Sequence, residues 1–386
     1  MPDGAAFTLA PHPTAHRLKV AFLLPHFYAG GAEGVALKLL EGLDRGTFRP
    51  VLILQNRVGE LVDKVPRDVE VYDLGGRRAS ASVRSLARLY DAENFDIVQT
   101  FTNAASVLCQ AARALSRHRP KTILSEHTPL SLFMAGAKGR ILRRLLMHAT
   151  YPSADRIAAP IASICAEHET LLGARCPRTV VLPNPIVETG LAPTDIQVAP
   201  RARRIMTLSR LSPEKRPDLM VRAFAAAFGD TPDATLTIWG EGGMRAALEA
   251  LAFELGVADR VHLPGYTTDV RGALANADLF LCTSEREGFG NAIVEAMAAG
   301  VPVLSLDCPV GPRVLLQGGL NGRLVEAEDA ATLAAQMKDF ADDPVARLDA
   351  AKRAAVAAKT YDIGAALRAH ERVYSELANV VPGHQN

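Results

Sequence analysis

Leu279-Phe-Leu-Cys-Thr-Ser-Glu-Arg-Glu-Gly-Phe-Gly-Asn-Ala-Ile-Val-Glu-Ala-Met-Ala-Ala-Gly-Val-Pro-Val-Leu-Ser-Leu306 reads as strand, loop, helix and strand. Leu279–Thr283 and Val301–Leu306 are short apolar runs of buried-strand type, and Ala292–Ala299 between them is rich in helix formers. A strand that returns through a helix pairs with its neighbour in parallel, so this stretch specifies an α/β unit. The same grammar extends upstream, with strands expected at Arg204–Ser209, Thr235–Trp239 and Val261–Leu263 and helices at Pro217–Phe228 and Met244–Leu255. It recurs in the first half. Lys19–Leu24 is followed by the turn Gly30-Gly31 and a helical pattern through Leu37, Leu40 and Leu43, then by strand candidates Val51–Leu54, Val69–Tyr72, Ile97–Thr100 and Thr122–Leu124. A last short strand near Val180 gives way to Pro- and Thr-containing chain up to Pro200, the best linker in the sequence.

The chain of 386 residues is long enough for two domains, and its 48% hydrophobic and 22% charged content is that of a soluble globular protein. The boundaries expected are 1–195, 196–362 and a final helical segment 363–386. Two Rossmann-like parallel sheets would place a ligand cleft at the C-terminal ends of their strands. A net charge of +1 gives no global attraction to nucleic acid. Five cysteines, odd in number and without a CxxC pair, suggest neither a disulfide framework nor a zinc site, and Cys282 and Cys308 read as buried apolar thiols. Met1–Arg17 has no apolar core of a secretory signal and no stretch reaches the length of a spanning helix, so a cytoplasmic location is expected.

Chemistry concentrates in the loops that follow strands. Glu287 lies just past a strand, Gly288 and Gly290 permit close backbone approach of a ligand, and the helix that opens near Asn291 offers free N–H groups to ligand oxygens. Glu295 sits about one turn inside that helix, on the side able to reach back. The alternative is a pair of solvated carboxylates on an Ala-rich helix. Arg210 and Lys215, five apart on the loop after Arg204–Ser209, place positive charge where a diphosphate leaving group would need it. Gly30-Gly31 forms a turn that fits either a ligand loop or plain structure, and it lacks the full G-x-G-x-x-G fingerprint of a nicotinamide site. His127, in Ser125-Glu-His-Thr128 after a strand, is placed to hydrogen-bond a sugar, phosphate or acceptor, or to be structural.

The run Glu287-Gly-Phe-Gly-Asn-Ala-Ile-Val-Glu295, followed by Ala-Met-Ala-Ala-Gly-Val-Pro-Val303, resembles the E-x7-E motif of the family-4 retaining glycosyltransferases. Arg210-Leu…Lys215-Arg, Gly30-Gly-Ala-Glu33, Leu182-Pro-Asn-Pro185 and Leu263-Pro-Gly-Tyr266 are similar to further elements of that family, so the likeness spans Val20 to about Leu377. It implies a GT-B fold and transfer of a sugar from a nucleotide-sugar with retention at the anomeric carbon. Glu295 would then bind the ribose, and Glu287 with the backbone of Phe289, Gly290 and Asn291 the transferred sugar. Gly265 and Tyr266 would lie beside the nucleobase, Gly30 and Gly31 would line the cleft, and the helix Ile363–Ala378 would return to the first domain. With Arg210 and Lys215 supplying the positive charge, neither a metal nor a cofactor is expected.

Asp307-Cys-Pro-Val-Gly-Pro-Arg313 and Gly319–Val325 resemble members that build bacterial cell-surface glycans, which makes a UDP-sugar the first donor and GDP-mannose the second; the family usually carries an acidic residue where this chain has Val314. The acceptor expected is a glycan or lipid-linked sugar. Two other classes are open, a sugar-nucleotide epimerase and a non-catalytic nucleotide-sugar-binding protein. The basic stretch Lys138–Met147 fits either an ordinary half-buried helix with a solvated basic edge or a helix lying on an anionic membrane, which would put the protein at the inner membrane face.

Overall fold

The computed structural model describes residues 17–76, 79–134, 139–188, 195–308, 310–327 and 329–379. The segment Met1–His16, Lys138, Pro309 and the middle of the expected linker lie outside them.

Thirteen strands are present among the described residues: β1 Leu18–Leu24, β2 Phe48–Leu54, β3 Glu70–Asp73, β4 Ile97–Thr100, β5 Lys121–Ser125, β6 Arg156–Ala159 and β7 Thr179–Val181, then β8 Arg204–Leu208, β9 Thr235–Trp239, β10 Val261–Gly265, β11 Leu279–Cys282, β12 Val303–Leu306 and β13 Arg323–Val325. They form a seven-stranded sheet ordered β3-β2-β1-β4-β5-β6-β7 and a six-stranded sheet ordered β10-β9-β8-β11-β12-β13. Neighbouring strands run parallel, as β1 does with β2 and β4, and β8 with β9 and β11. This is the Rossmann-like α/β architecture expected from the alternation of strands and helices.

In the second sheet the strands are buried on both faces. Leu279 and Leu281 of β11 point into one apolar cluster with Phe224, Phe228 and Leu304. Phe280 and Cys282, on the opposite side of the pleat, join another with Met206, Ile293 and Met297. Continuous apolar runs, without polar alternation, are the sequence form of such strands.

Several boundaries differ from those expected. β2 begins at Phe48, three residues before the expected Val51, despite Pro50. Its pairing with β3 starts only at Val51, so the missing N–H of Pro50 costs no bond on that side. β10 runs through Pro264 because it is an edge strand. β6 and β13 were not expected: Arg-Ile-Ala-Ala and Arg-Leu-Val are too short and too poor in β-branched residues to stand out.

The chain divides into two compact units, Met1–Leu124 with Ser153–Asp155 and Glu371–Asn386, and Ser125–Pro152 with Arg156–His370. The expected boundary at 195 falls inside the second of these. The apolar cluster of Phe280 and Phe289 also takes in Ala159, Ile164 and Ile186 from earlier in the chain. Backbone N–H groups of Ile186 and Val187 both bond to the carbonyl of Tyr361. In the first unit, Tyr374 of the helix Ile363–Leu377 packs edge-on against Phe48 and donates to Gln99 Oε1.

Candidate functional site

The second sheet has its switch point between β8 and β11: the chain leaves β8 toward β9 and β10, and leaves β11 toward β12 and β13. Ligands of open parallel sheets bind at the C-terminal ends of strands at such a point. The two loops that leave it, Ser209–Arg216 after β8 and Thr283–Gly290 after β11, carry Arg210, Lys215 and Glu287.

These loops are joined through their backbones. The Thr283 hydroxyl lies 2.8 Å from the Lys215 carbonyl oxygen and 3.1 Å from that of Arg216, and Glu285 N–H donates to Glu214 O at 3.0 Å. Arg216 holds φ 48°, ψ 50° immediately before Pro217, a conformation disfavoured for any side-chain-bearing residue there. Thr283 thus holds the backbone at a strained residue beside the site. Between the same two loops lies the ion pair Lys215 Nζ–Glu287 Oε2 at 2.5 Å, with side-chain exposures of only 16% and 18%.

The pair has spare capacity. An ammonium carries three donors and a carboxylate about four acceptor sites, so one shared bond leaves most of each group for a ligand. Arg210 is not part of it. Its guanidinium, mostly exposed, lies 3.3 Å from Glu214, which also accepts from Ser212 Oγ at 2.7 Å.

Glycines set the shape of the β11 loop. At Gly290, φ is 102°, and this residue caps the helix Asn291–Ala298. A Cβ at Gly288 would come within 2.1 Å of the His127 carbonyl oxygen, so the turn after β5 lies directly against the Glu287 loop. From beneath, Cys308 accepts from Glu287 N–H at 3.3 Å and donates to Glu285 O at 3.7 Å, and a Cβ at Gly311 would meet Phe289 O at 2.2 Å. The thiol of Cys308 is buried and pushed up by desolvation, consistent with a neutral brace. Asn184 Nδ2 donates to Asn291 Oδ1 at 2.9 Å, tying the Pro-Asn-Pro element to the start of the helix. The Phe289 side chain is core, 5.1 Å from the Tyr361 ring, so only its backbone is available to a ligand. Glu295 is half-buried one turn inside the helix.

The row of loops continues toward the sheet edge. Leu211 N–H donates to Glu241 O at 2.9 Å and Gly240 N–H to Gly265 O at 2.8 Å, so the loops after β8, β9 and β10 form one rim. Gly265 is at φ 93°, and Tyr266 beside it is 52% exposed. Gly30 and Gly31 belong to the first unit, at the end of β1, which flanks the switch point of the other sheet with β4. Gly30 is the N-cap of the helix Gly31–Gly42, and a Cβ there would meet Glu33 Oε2 at 2.3 Å.

His127 is half-buried, and desolvation holds its pKa near 4; His370, fully buried, is held near 3 by the same cause and by the proximity of His127. Both are neutral at pH 7, so His127 offers the site a neutral imidazole. Folded values below the unfolded 6.5 mean that the unfolded chain takes up protons the folded chain refuses. Stability is therefore full above pH 6.5 and lost as pH falls toward 4. His370 alone is expected to cost about 2 kcal/mol between pH 7 and pH 5 (about 1.4 kcal/mol per pH unit below 6.5). Urea unfolding at the two pH values measures this, and His370→Asn should flatten the difference. An unchanged slope in that variant would rule out His370 as the origin.

Thr283, Cys308 and Asn184 are the positioning residues that sequence reading did not assign. Cys308 was expected only as an apolar filler, and Asn184 carried a family signal without a role.

Two family models match the chain: Glycosyltransferase Family 4 over residues 29–189 and Glycosyl transferases group 1 over residues 195–359. The chain belongs to the family-4 glycosyltransferases. The two matches part at the segment expected to be the linker. HepE of Anabaena, solved with UDP and glucose, superposes on this family member with a TM-score of 0.75 at 21% identity, covering 93% of this chain and 100% of that one. The fold is GT-B. An exopolysaccharide phosphotransferase of Streptomyces coelicolor is 29% identical over 70% of this chain, a match that spans only 28% of that protein's length. The N-acetylgalactosamine-N,N'-diacetylbacillosaminyl-diphospho-undecaprenol 4-alpha-N-acetylgalactosaminyltransferase of Campylobacter jejuni is 25% identical over 68% of this chain and 71% of its own length.

Proposed function

We propose that this family-4 member is a retaining glycosyltransferase that moves a hexose or N-acetylhexosamine from a UDP-sugar to a glycan or lipid-linked acceptor in surface-polysaccharide synthesis. The observation that carries the reading is the Lys215–Glu287 pair at the switch point, one cation and one carboxylate held 2.5 Å apart with donor and acceptor capacity to spare. Lys215, with Arg210 nearby, takes the diphosphate, Glu287 takes hydroxyls of the transferred sugar, and Glu295 takes the ribose. The loop of Gly265 and Tyr266 lies beside the uracil.

The bond from the anomeric carbon to the β-phosphate oxygen breaks, and its electron pair stays on that oxygen, where the ammonium of Lys215 stabilises it. The acceptor oxygen forms the new bond on the same face of the sugar and gives its proton to the departing phosphate. Glu287 positions the sugar and transfers no proton. This reading needs no metal.

A thermal-shift series with UDP-glucose, UDP-N-acetylglucosamine, UDP-N-acetylgalactosamine and GDP-mannose, each with and without EDTA, tests it. One UDP-sugar should raise the melting temperature by several degrees, unchanged by EDTA. Stabilisation by GDP-mannose alone would move the donor to the second reading, a mannosyl transfer, and a shift abolished by EDTA would contradict the metal-free reading.

A further inference from the structure

The helix Arg140–Thr150 carries an apolar face turned away from the protein. Of its eleven residues only Met147 is buried. At 100° per residue, Ile141, Leu142, Leu145 and Leu146 fall within one arc of about 140°, and Met147 lies on the opposite side. The four are 75%, 61%, 60% and 40% exposed. The helix rests on its unit through Met147 and shows its leucines to solvent, which departs from the ordinary half-buried helix, one of the two readings the sequence left open. Single exposed aliphatic side chains are ordinary, but four on one arc are a contact surface.

Charge selects what covers it. Arg144 and Arg143 flank the arc on its two sides, Arg140 stands at the helix start, and residues 139–150 contain no acid. A second copy of the same face would set arginines against arginines. An anionic bilayer satisfies both parts, with aliphatic side chains at the acyl boundary and guanidinium groups among lipid phosphates. Among the described residues no helix is long and apolar enough to cross a membrane, so attachment through this helix is by lying in the interface. We propose that residues 140–150 are a membrane-docking helix for lipid surfaces carrying negative charge. This inference stands on the helix itself and is independent of the donor or the reaction.

Co-sedimentation of the full chain with vesicles tests it, comparing pure phosphatidylcholine with mixtures containing phosphatidylglycerol. The unmodified protein should bind the anionic vesicles and release as salt rises. Leu142→Glu with Leu145→Glu should weaken binding at least tenfold. Arg140→Gln with Arg144→Gln should weaken it about fivefold per residue on anionic vesicles. Both variants should keep the melting temperature and the donor-induced thermal shift, since the changed residues are exposed. No binding by the unmodified protein, equal binding by the variants, or equal binding to neutral vesicles would overturn the proposal. So would a dimer in sedimentation equilibrium that the glutamate variant dissolves without any vesicle binding, which would make the face a contact between copies.

Discussion

Lys215→Ala is expected to lower turnover by about a thousandfold, the scale on which one preorganised charge at a developing oxyanion acts. Two effects add. The first is loss of the ammonium that faces the leaving diphosphate in the proposed reaction. The second acts before any donor arrives: Glu287, 18% exposed, loses the cation that holds it at 2.5 Å. A fully buried carboxylate left without its partner costs roughly 3–5 kcal/mol, and water at the rim of this site reduces that figure. The two effects separate experimentally. Lys215→Arg keeps the charge and so restores the loop, with a fork that fits the phosphate differently. It should recover the melting temperature of the unmodified protein and only part of the rate. Steady-state release of nucleoside diphosphate and thermal unfolding, measured on both variants, check this. Full turnover in Lys215→Ala would remove Lys215 from the site.

Gly288→Ala should be as damaging through geometry alone. The added Cβ would stand 2.1 Å from the His127 carbonyl oxygen and 3.2 Å from the Thr128 Cα, both backbone, so no side-chain rotation relieves it. Either the β11 loop or the turn after β5 must move, and that loop carries Glu287. Overpacking of this kind typically costs about 1–3 kcal/mol. Donor affinity should fall at least tenfold, because a displacement of about 1 Å is enough to misplace the carboxylate. Gly34→Ala is the matched control, since a Cβ there meets nothing within 4 Å. Donor titration by calorimetry on the two variants would show it. Equal affinities would mean that the contact between the loops is not needed to shape the site.

The motif Glu287–Glu295 was legible because everything it needs is local: a strand end, two glycines and a helix start within a few residues. The parallel sheets were legible for a related reason, since strands buried on both faces write themselves as continuous apolar runs. What could not be read is what joins distant segments. Lys215 and Glu287 meet because β8 and β11 are neighbours, and Thr283 reaches the carbonyls of Lys215 and Arg216 for the same cause. Neither threonine nor Cys308 differs in sequence from an ordinary buried residue. The shared core was hidden likewise, because Ala159, Ile164 and Ile186 reach Phe280 across about 90 to 120 residues of chain. The helix Arg140–Thr150 shows the same limit most plainly. Its amphipathic pattern is visible, but which face docks depends on Met147 finding a place in the fold.

In the proposed reaction the cation and carboxylate at the switch point hold a UDP-sugar for transfer to an acceptor with retention. Incubation with the UDP-sugar that stabilises the protein, with and without a lipid extract, followed by proton NMR of the reaction, tests it most directly. The expected result is UDP release that depends on acceptor and a product whose new linkage keeps the anomeric configuration of the donor. Interconversion of the donor sugar without UDP release, or a product of inverted configuration, would contradict it.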